Sequence, residues 1–197
     1  MNVLAIGAHP DDVEIACSGT LAKCVKRGDK VIVCHASTGN LGHVVIPPDE
    51  LTKIRAEEAK KAGGLAGIEV IGGMFDDLNI FDGNKAARDK LVDVIKYAQP
   101  DFIITHNPDD YMPDHTAVSR LVFDASFAAT LPNYKSRYEK AAALVPIYYM
   151  DTLAGVDFQP TEYVDISAEI GLKLKMLNCH ESQLVWMKEH DGIDFAD

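Results

Sequence analysis

Short, almost wholly apolar segments alternate along this chain with amphipathic stretches of helical spacing. Residues 3–8 are apolar apart from one glycine, residues 30–35 have a similar character, and residues 18–27 between them are predicted to form a helix. Short apolar runs without alternating polar residues are typical of strands that are buried on both faces. Strands of this kind separated by helices indicate parallel pairing.

The alternation continues to the end of the chain. Further strands are predicted at 68–71, 101–105 and 144–150, and further helices at 51–62, 84–99, 115–129 and in a last segment capped by Ser167. No internal repeat or linker interrupts the pattern. We therefore predict an α/β fold: a Rossmann-like, doubly wound, mainly parallel sheet with helices on both faces, in a single domain over residues 1–197. In such sheets, ligands bind beyond the carboxyl ends of the strands.

Charge and targeting signals exclude several classes of partner. The formal net charge is −11, and a surface this negative repels phosphate backbones and anionic lipid, so we expect no nucleic-acid partner. The N-terminus lacks the basic start of a signal peptide, and no apolar run is long enough for a membrane span. We expect a cytoplasmic protein without membrane insertion, with its four irregularly spaced cysteines as reduced thiols.

Two polar clusters lie after predicted strands, one directly after its strand and one at the end of the following loop. The first is HPDD at residues 9–12, and the second is PDH at residues 113–115. Two imidazoles, one carboxylate and an open position form a known ligand set for catalytic zinc. We predict that His9, Asp12 and His115 are the metal ligands. The same ligands would accept Fe²⁺, Co²⁺ or Ni²⁺, so the sequence does not fix the metal.

Asp11 is predicted to be a general base. A carboxylate ligand makes the site less positive than three histidines would, so water is acidified less and a separate base becomes useful. Each cluster also has a purely structural interpretation, the first as a turn with a capping aspartate and the second as a helix start. The metal site is favoured because both clusters follow parallel strands.

The string GAHPDDVE at residues 7–14, with Gly19-Thr20 behind it, resembles the LmbE/PIG-L deacetylases. The similarity runs from Asn2 to about Gln183. It implies a zinc-dependent hydrolase that removes acetyl from the nitrogen of N-acetylglucosaminyl conjugates, such as the phosphatidylinositol-linked sugar and the precursors of mycothiol and bacillithiol. The partner would be a small-molecule amino sugar, and the resemblance also suggests a homo-oligomer.

The resemblance implies roles for individual residues. It places the same three ligands on the metal and Asp11 as the base. Arg55 and Glu58 match an Arg-x-x-Glu motif whose arginine contacts substrate, and Asp76 resembles an aspartate that holds sugar hydroxyls. The CHESQ string at residues 179–183 resembles a late motif near the site. His43, on the loop after the second strand, is a further candidate for substrate contact.

Met112 departs from the family pattern. A histidine usually stands there and assists the oxyanion or the leaving group, whereas methionine cannot donate a proton. Losing one oxyanion donor typically costs about 10²–10³ in rate. Tyr111, His106 and His180 are the candidates to replace it, with Tyr111 and His180 assigned as catalytic.

Two other functions stay open at this point. One is a metal- and carbohydrate-binding homologue without activity, which the methionine at this position suggests. The other is a dinucleotide-binding oxidoreductase, which is disfavoured because the first turn has Gly7 alone and lacks Gly-x-Gly-x-x-Gly.

Overall fold

A computed structural model describes residues 1–156 and 158–193 of the chain. The strands are β1 (Asn2–Gly7), β2 (Lys30–Ser37), β3 (Glu69–Phe75), β4 (Phe102–His106) and β5 (Ile147–Met150). The helices are α1 (Asp12–Ala16), α2 (Ser18–Lys26), α3 (Pro48–Ala66), α4 (Lys85–Ala98), α5 (Pro113–Ala128), α6 (Ile170–Leu177) and α7 (Glu181–Trp186), and a π-helical turn follows at Met187–Asp191. Within the described residues, no helix is both long and apolar enough to cross a membrane.

The described strands form one parallel sheet in the order β3-β2-β1-β4-β5. β1 is central and pairs with β2 on one side and β4 on the other, with Val3 opposite Phe102 and Ile6 opposite Thr105. The strand order therefore reverses between β1 and β4. The predicted doubly wound α/β fold is confirmed.

Each face of the sheet carries its own hydrophobic core. Leu4 and Ile6 of β1 pack with residues of α4 and α5, such as Leu91 and Leu121. Val3 and Ala5 point to the opposite face and pack with residues of α2, α3 and α6, such as Leu21, Ala62 and Met176. Because alternate residues of a strand face opposite sides, burial on both sides explains the uninterrupted apolar runs.

The edge strand β3 is longer than predicted. The sequence suggests a strand that stops at residue 71, yet β3 continues through Gly72 and Gly73 to Phe75. Gly72 adopts φ 141°, and a Cβ atom there would lie 1.9 Å from the carbonyl oxygen of His35 on β2. Only glycine allows the two backbones to approach this closely. The register of the β2–β3 pairing shifts next to this point, between His35 and Ser37.

The C-terminal helices differ from the prediction. Ser167 does not cap a helix; its hydroxyl donates to Asp165, and α6 begins at Ile170. A further helix, α7, and the π-helical turn follow it. By contrast, the predicted cap of α4 is confirmed, because the Asn84 side chain accepts from the backbone N–H groups of Ala86 and Ala87.

Gly72→Ala should destabilise the protein by about 3 kcal/mol or more, because it adds a steric clash to an unfavourable φ. Urea unfolding measures the change in the free energy of unfolding. Gly64→Ala is the matched control, since Gly64 lies in α3 with open space around its Cβ position, and this change should stabilise the protein by about 0.5–1 kcal/mol. Equal effects at the two positions would contradict the packing argument.

Candidate metal centre and active site

The candidate site lies at the point where the strand order reverses. Chain segments that leave β1 and β4 at their carboxyl ends are neighbours there. The Ala8 N–H, just after β1, donates to Nε2 of His106, the last residue of β4, over 2.8 Å. This bond ties the two strand ends together and brings residues 9–12 beside the start of α5.

His9, Asp12 and His115 come together as a candidate ligand set. One ligand atom from each lies within 4.8 Å of the others. His115 Nε2 is 3.3 Å from Asp12 Oδ1, and His9 Nδ1 is 3.5 Å from Asp12 Oδ2. His115 Nε2 is buried without a hydrogen-bond partner among the described residues. An orphaned imidazole nitrogen that faces a buried carboxylate fits a metal cation between them.

Two further carboxylates orient the histidine rings. Asp110 Oδ2 lies 3.0 Å from His115 Nδ1, and Asp114 Oδ2 lies 3.1 Å from His9 Nε2. Because an ionised carboxylate can only accept a hydrogen bond, each of these ring nitrogens carries the hydrogen and is the donor. The opposite nitrogen of each ring is then directed toward Asp12. Carboxylate–histidine pairs of this kind fix the ring orientation in metal sites.

Two other groups of three residues are also close enough to hold a metal, but each contains a donor atom that is already engaged. In the group of His106, Asp110 and His115, His106 Nε2 already accepts from Ala8 N–H. In the group of His9, Asp77 and Asp114, Asp114 Oδ2 accepts from the Leu78 N–H as well as contacting His9. The first set therefore fits a cation best.

The charges of the candidate ligands are strongly coupled. Burial lowers the pKa of His9, but the Asp114 and Asp12 carboxylates outweigh it and raise the pKa to about 10. Burial also lowers the pKa of His115, but the Asp12 and Asp110 carboxylates outweigh this effect and raise the pKa to about 9. Burial raises the pKa of Asp12, yet His115 and His106 hold it well below its usual range. The metal-free cluster therefore carries protons that a cation would displace.

Asp11 is buried beside this cluster in an unusual backbone conformation. Its φ is 127°, a region that residues with a side chain rarely adopt. Burial raises the pKa of its carboxyl to about 6, with Arg55 opposing the shift and Asp12 adding to it. A carboxyl with a pKa in this range is suited to exchanging protons near neutral pH.

His180 is fully buried and near enough to Asp11 for their charges to interact. Its Nε2 is 3.6 Å from Glu14 Oε2, which is also 3.4 Å from His35 Nε2. Burial raises the pKa of Glu14, but His35 and His180 lower it well below the usual range. Burial lowers the pKa of His180, but Glu14 and Asp11 raise it above its ordinary value. His180 is therefore placed to act on Asp11 through its charge.

Tyr111 and Met112 form the rim of the site ahead of α5. Tyr111 is 51% exposed, and partial burial, followed by the Asp110 and Asp12 carboxylates, raises the pKa of its phenol. Met112 is the N-cap residue of α5, and its N–H donates to Asp110 Oδ1. The phenol is thus an accessible proton donor close to the position where the family pattern expects histidine.

Arg55 is buried, with only 2% of its surface exposed. Its guanidinium donates to the carbonyl oxygens of Gly39 and Pro10 and to Gln183 Oε1. It also lies 3.8 Å from Asp11 Oδ1. A role as a substrate contact stays a prediction, but the structure places this arginine behind the general-base candidate.

The remaining predicted substrate contacts lie on two loops that are bonded to each other. Asp76 is exposed, and its Oδ1 accepts from Asn40 Nδ2. Asn40 Oδ1 in turn accepts from the Asp77 N–H, and Asp77 Oδ2 accepts from the Leu41 N–H. His43 Nδ1 accepts from two backbone N–H groups of its own loop, so this nitrogen stabilises the loop.

Sequence reasoning missed several residues of the site. Asp77 Oδ1 is buried without a partner among the described residues, and the Asp77 charge contributes to raising the pKa of His9. Asp114 and Glu14 are adjacent to predicted residues or inside the same motif. Both residues stand in motifs that the sequence analysis identified. The sequence does not show which of two neighbouring carboxylates faces the cluster, because that depends on the tertiary fold.

Comparison with known families identifies the family of this chain. The model of the PIG-L family, described as GlcNAc-PI de-N-acetylase, matches residues 4–126, which span β1 through most of α5. The chain belongs to the PIG-L family. The matched region of this PIG-L protein contains all three candidate ligands and Asp11.

Relatives of this PIG-L protein include enzymes with different activities. It is 30% identical over 199 residues to a diacetylchitobiose deacetylase from Thermococcus kodakarensis, covering 93% of this chain and 72% of the relative. It is 24% identical over 191 residues to a 4-oxalmesaconate hydratase from Pseudomonas putida, covering 92% of this chain and 74% of that relative. Among solved structures, the N,N'-diacetylchitobiose deacetylase from Pyrococcus horikoshii matches with a TM-score of 0.80 and 25% identity, covering 96% of this chain and 74% of that one.

Metal binding should release about two protons near pH 7, one from each of the two histidines, His9 and His115, whose pKa values are raised. The affinity for the metal should therefore increase by up to about a hundredfold per pH unit until the pH nears those pKa values. Both pKa values lie above neutrality, so the histidines are protonated at lower pH and affinity falls as the pH falls. Calorimetry in two buffers of different ionisation enthalpy measures the protons. His43→Ala is the control and should leave the number unchanged; affinity that is independent of pH would contradict the coupling.

Proposed function

We propose that this chain is a divalent-metal-dependent hydrolase that removes the acetyl group from the nitrogen of an N-acetylglucosamine-type sugar. The observation that carries the proposal is the set of His9, Asp12 and His115, of which the last two are buried, with the strained, buried Asp11 beside it. Family membership supports the reaction class, and the diacetylchitobiose deacetylase relative supports the substrate class.

His9, Asp12 and His115 would hold the metal, for which Zn²⁺ is our first choice and Fe²⁺ or another divalent ion an alternative. When bound, such a cation makes water more acidic and polarises the amide carbonyl of the substrate. Asp110 and Asp114 keep the two imidazoles oriented through Nδ1 of His115 and Nε2 of His9.

Asp11 would move the proton in both halves of the reaction. Its carboxylate takes a proton from the attacking water, whose oxygen forms a bond with the acetyl carbonyl carbon. The protonated Asp11 then gives that proton to the sugar nitrogen as the C–N bond breaks. The products are acetate and the free amino sugar, and no other reactant is required.

Tyr111 is our candidate for the group that stabilises the oxyanion. Tyr111 is about half exposed and its phenol can donate a proton, whereas the Met112 side chain cannot. His180 is buried beside Glu14, so we assign it to support the charge of Asp11 without touching substrate.

Acetate release from N,N'-diacetylchitobiose and a panel of other N-acetylglucosamine conjugates tests the proposal. Protein loaded with Zn²⁺ should release acetate from at least one conjugate, and chelator-stripped protein should not. Asp11→Asn should keep the metal, because asparagine tolerates a positive φ, and should lose about 10²–10⁴ in turnover. Asp49→Asn, on the exposed start of α3, is the control.

Each contrary result points elsewhere. Stoichiometric metal and sugar binding without acetate release would favour the inactive homologue that Met112 suggests. Because one relative is a hydratase, acetate itself is the required readout. Full turnover by the Asp11→Asn variant would remove Asp11 from the mechanism.

Asp77 is our candidate for the carboxylate that accepts a hydrogen bond from a sugar hydroxyl, because its Oδ1 is buried without a partner in the described chain. A hydrogen bond to a charged acceptor contributes about 1.5–3 kcal/mol, so Asp77→Asn should raise KM by about 10–100-fold. Asp76→Asn is the matched comparison and tests the role that the family resemblance gives to Asp76. A larger rise in KM for Asp76→Asn would return the role to that residue.

A further inference from the structure

The backbone at Asp11 is strained, and something must hold it. Its φ of 127° and ψ of −27° lie where residues with a Cβ atom are rare. Such a conformation costs free energy and persists only where the surrounding structure fixes it. Strain of this kind at the proposed general base calls for a neighbour that fixes the peptide bond on one side of it.

Arg55 contacts that peptide bond directly. Its Nη2 donates to the carbonyl oxygen of Pro10 over 3.1 Å. This carbonyl belongs to the peptide group that joins Pro10 to Asp11, whose orientation is set by ψ of Pro10 and φ of Asp11. The same Nη2 lies 3.8 Å from Asp11 Oδ1. One guanidinium therefore faces both the strained backbone and the carboxylate.

Other contacts fix Arg55 in this place. Nη1 donates to Gly39 O over 2.9 Å, and Nη2 also donates to Gln183 Oε1 over 2.5 Å. The loop after β2 closes tightly over the guanidinium, because a Cβ atom on Gly39 would lie 2.3 Å from Nη1. Of its nitrogens, Nε alone is without a partner among the described residues, and it too is buried. The guanidinium is thus enclosed by the chain segments that it joins.

We propose that Arg55 is a positioning residue for Asp11 rather than a contact for the sugar. Its planar fork of donors joins the 9–12 turn, the loop after β2 and α7, and holds the Pro10 carbonyl so that Asp11 keeps its strained backbone and its place beside the metal cluster. A lysine would keep the charge, but a single ammonium cannot reproduce this set of directed bonds. The kinetic consequence rests on the deacetylase function proposed above.

Arg55→Lys tests the inference in two ways. In the Zn²⁺-loaded enzyme with its best sugar substrate, kcat should fall by about 10²-fold while KM stays within about threefold, since a displaced catalytic group slows the reaction without weakening binding. A crystal structure of the variant should show Asp11 outside the positive-φ region or the Pro10 carbonyl turned away. Lys53→Gln, on the exposed side of α3, is the control for losing a cation from this helix.

Gly39→Ala serves as a second variant if Arg55→Lys does not fold. It leaves Arg55 in the chain but places a methyl group against the guanidinium, and it should lower kcat in the same way. A KM that rises about tenfold with kcat retained would overturn the inference and make Arg55 a substrate contact. Unchanged kcat with Asp11 still at positive φ would overturn it as well. If wild-type protein has no deacetylase activity, the proposed function fails, and the Asp11 geometry in the variant crystal still decides the positioning role.

Discussion

The pairing of β1 with β4 is the constraint on which the site depends. These strands are neighbours in the sheet although almost 100 residues separate paired positions, such as Val3 and Phe102. The bond from Ala8 N–H to His106 Nε2 extends this pairing beyond the last ladder position. The turn after β1 and the start of α5 are therefore placed side by side, and the candidate ligands meet only as a result of this long-range contact.

Burying this many ionisable groups together requires that each has a partner. Unpaired buried charges are costly, and here carboxylates alternate with imidazoles: Asp110 faces His115, Asp114 faces His9, and Glu14 lies between two histidines. The unpartnered nitrogen of His115 stands where a cation would complete the arrangement. Asp11 differs from the others, since burial dominates its surroundings and leaves its pKa raised.

The sequence was sufficient to predict the fold and to nominate the ligand set, because apolar strands, polar turns after them and a specific motif are all local signals. It could not predict what depends on distant backbone. Gly72 reads as the start of a loop, and only the close approach of β2 explains why the strand continues. Asp76 and Asp77 are indistinguishable as letters, yet one is exposed and the other buried. Arg55 has the spacing of a charged helix residue, and its burial follows from contacts with three separate segments.

The reciprocal bonds between Asn40 and the Asp76–Asp77 turn have a consequence for how such a scaffold can change over evolution. The loops they join follow β2 and β3, on one side of the sheet, whereas the candidate ligands follow β1 and β4. The separation is incomplete, because the Leu78 N–H after β3 donates to Asp114 and the Gly39 carbonyl after β2 accepts from Arg55. Mutations that reshape those two loops together would therefore also change the groups that contact His9 and Asp11. A scaffold joined in this way would acquire new substrates only through loop changes that leave those contacts in place.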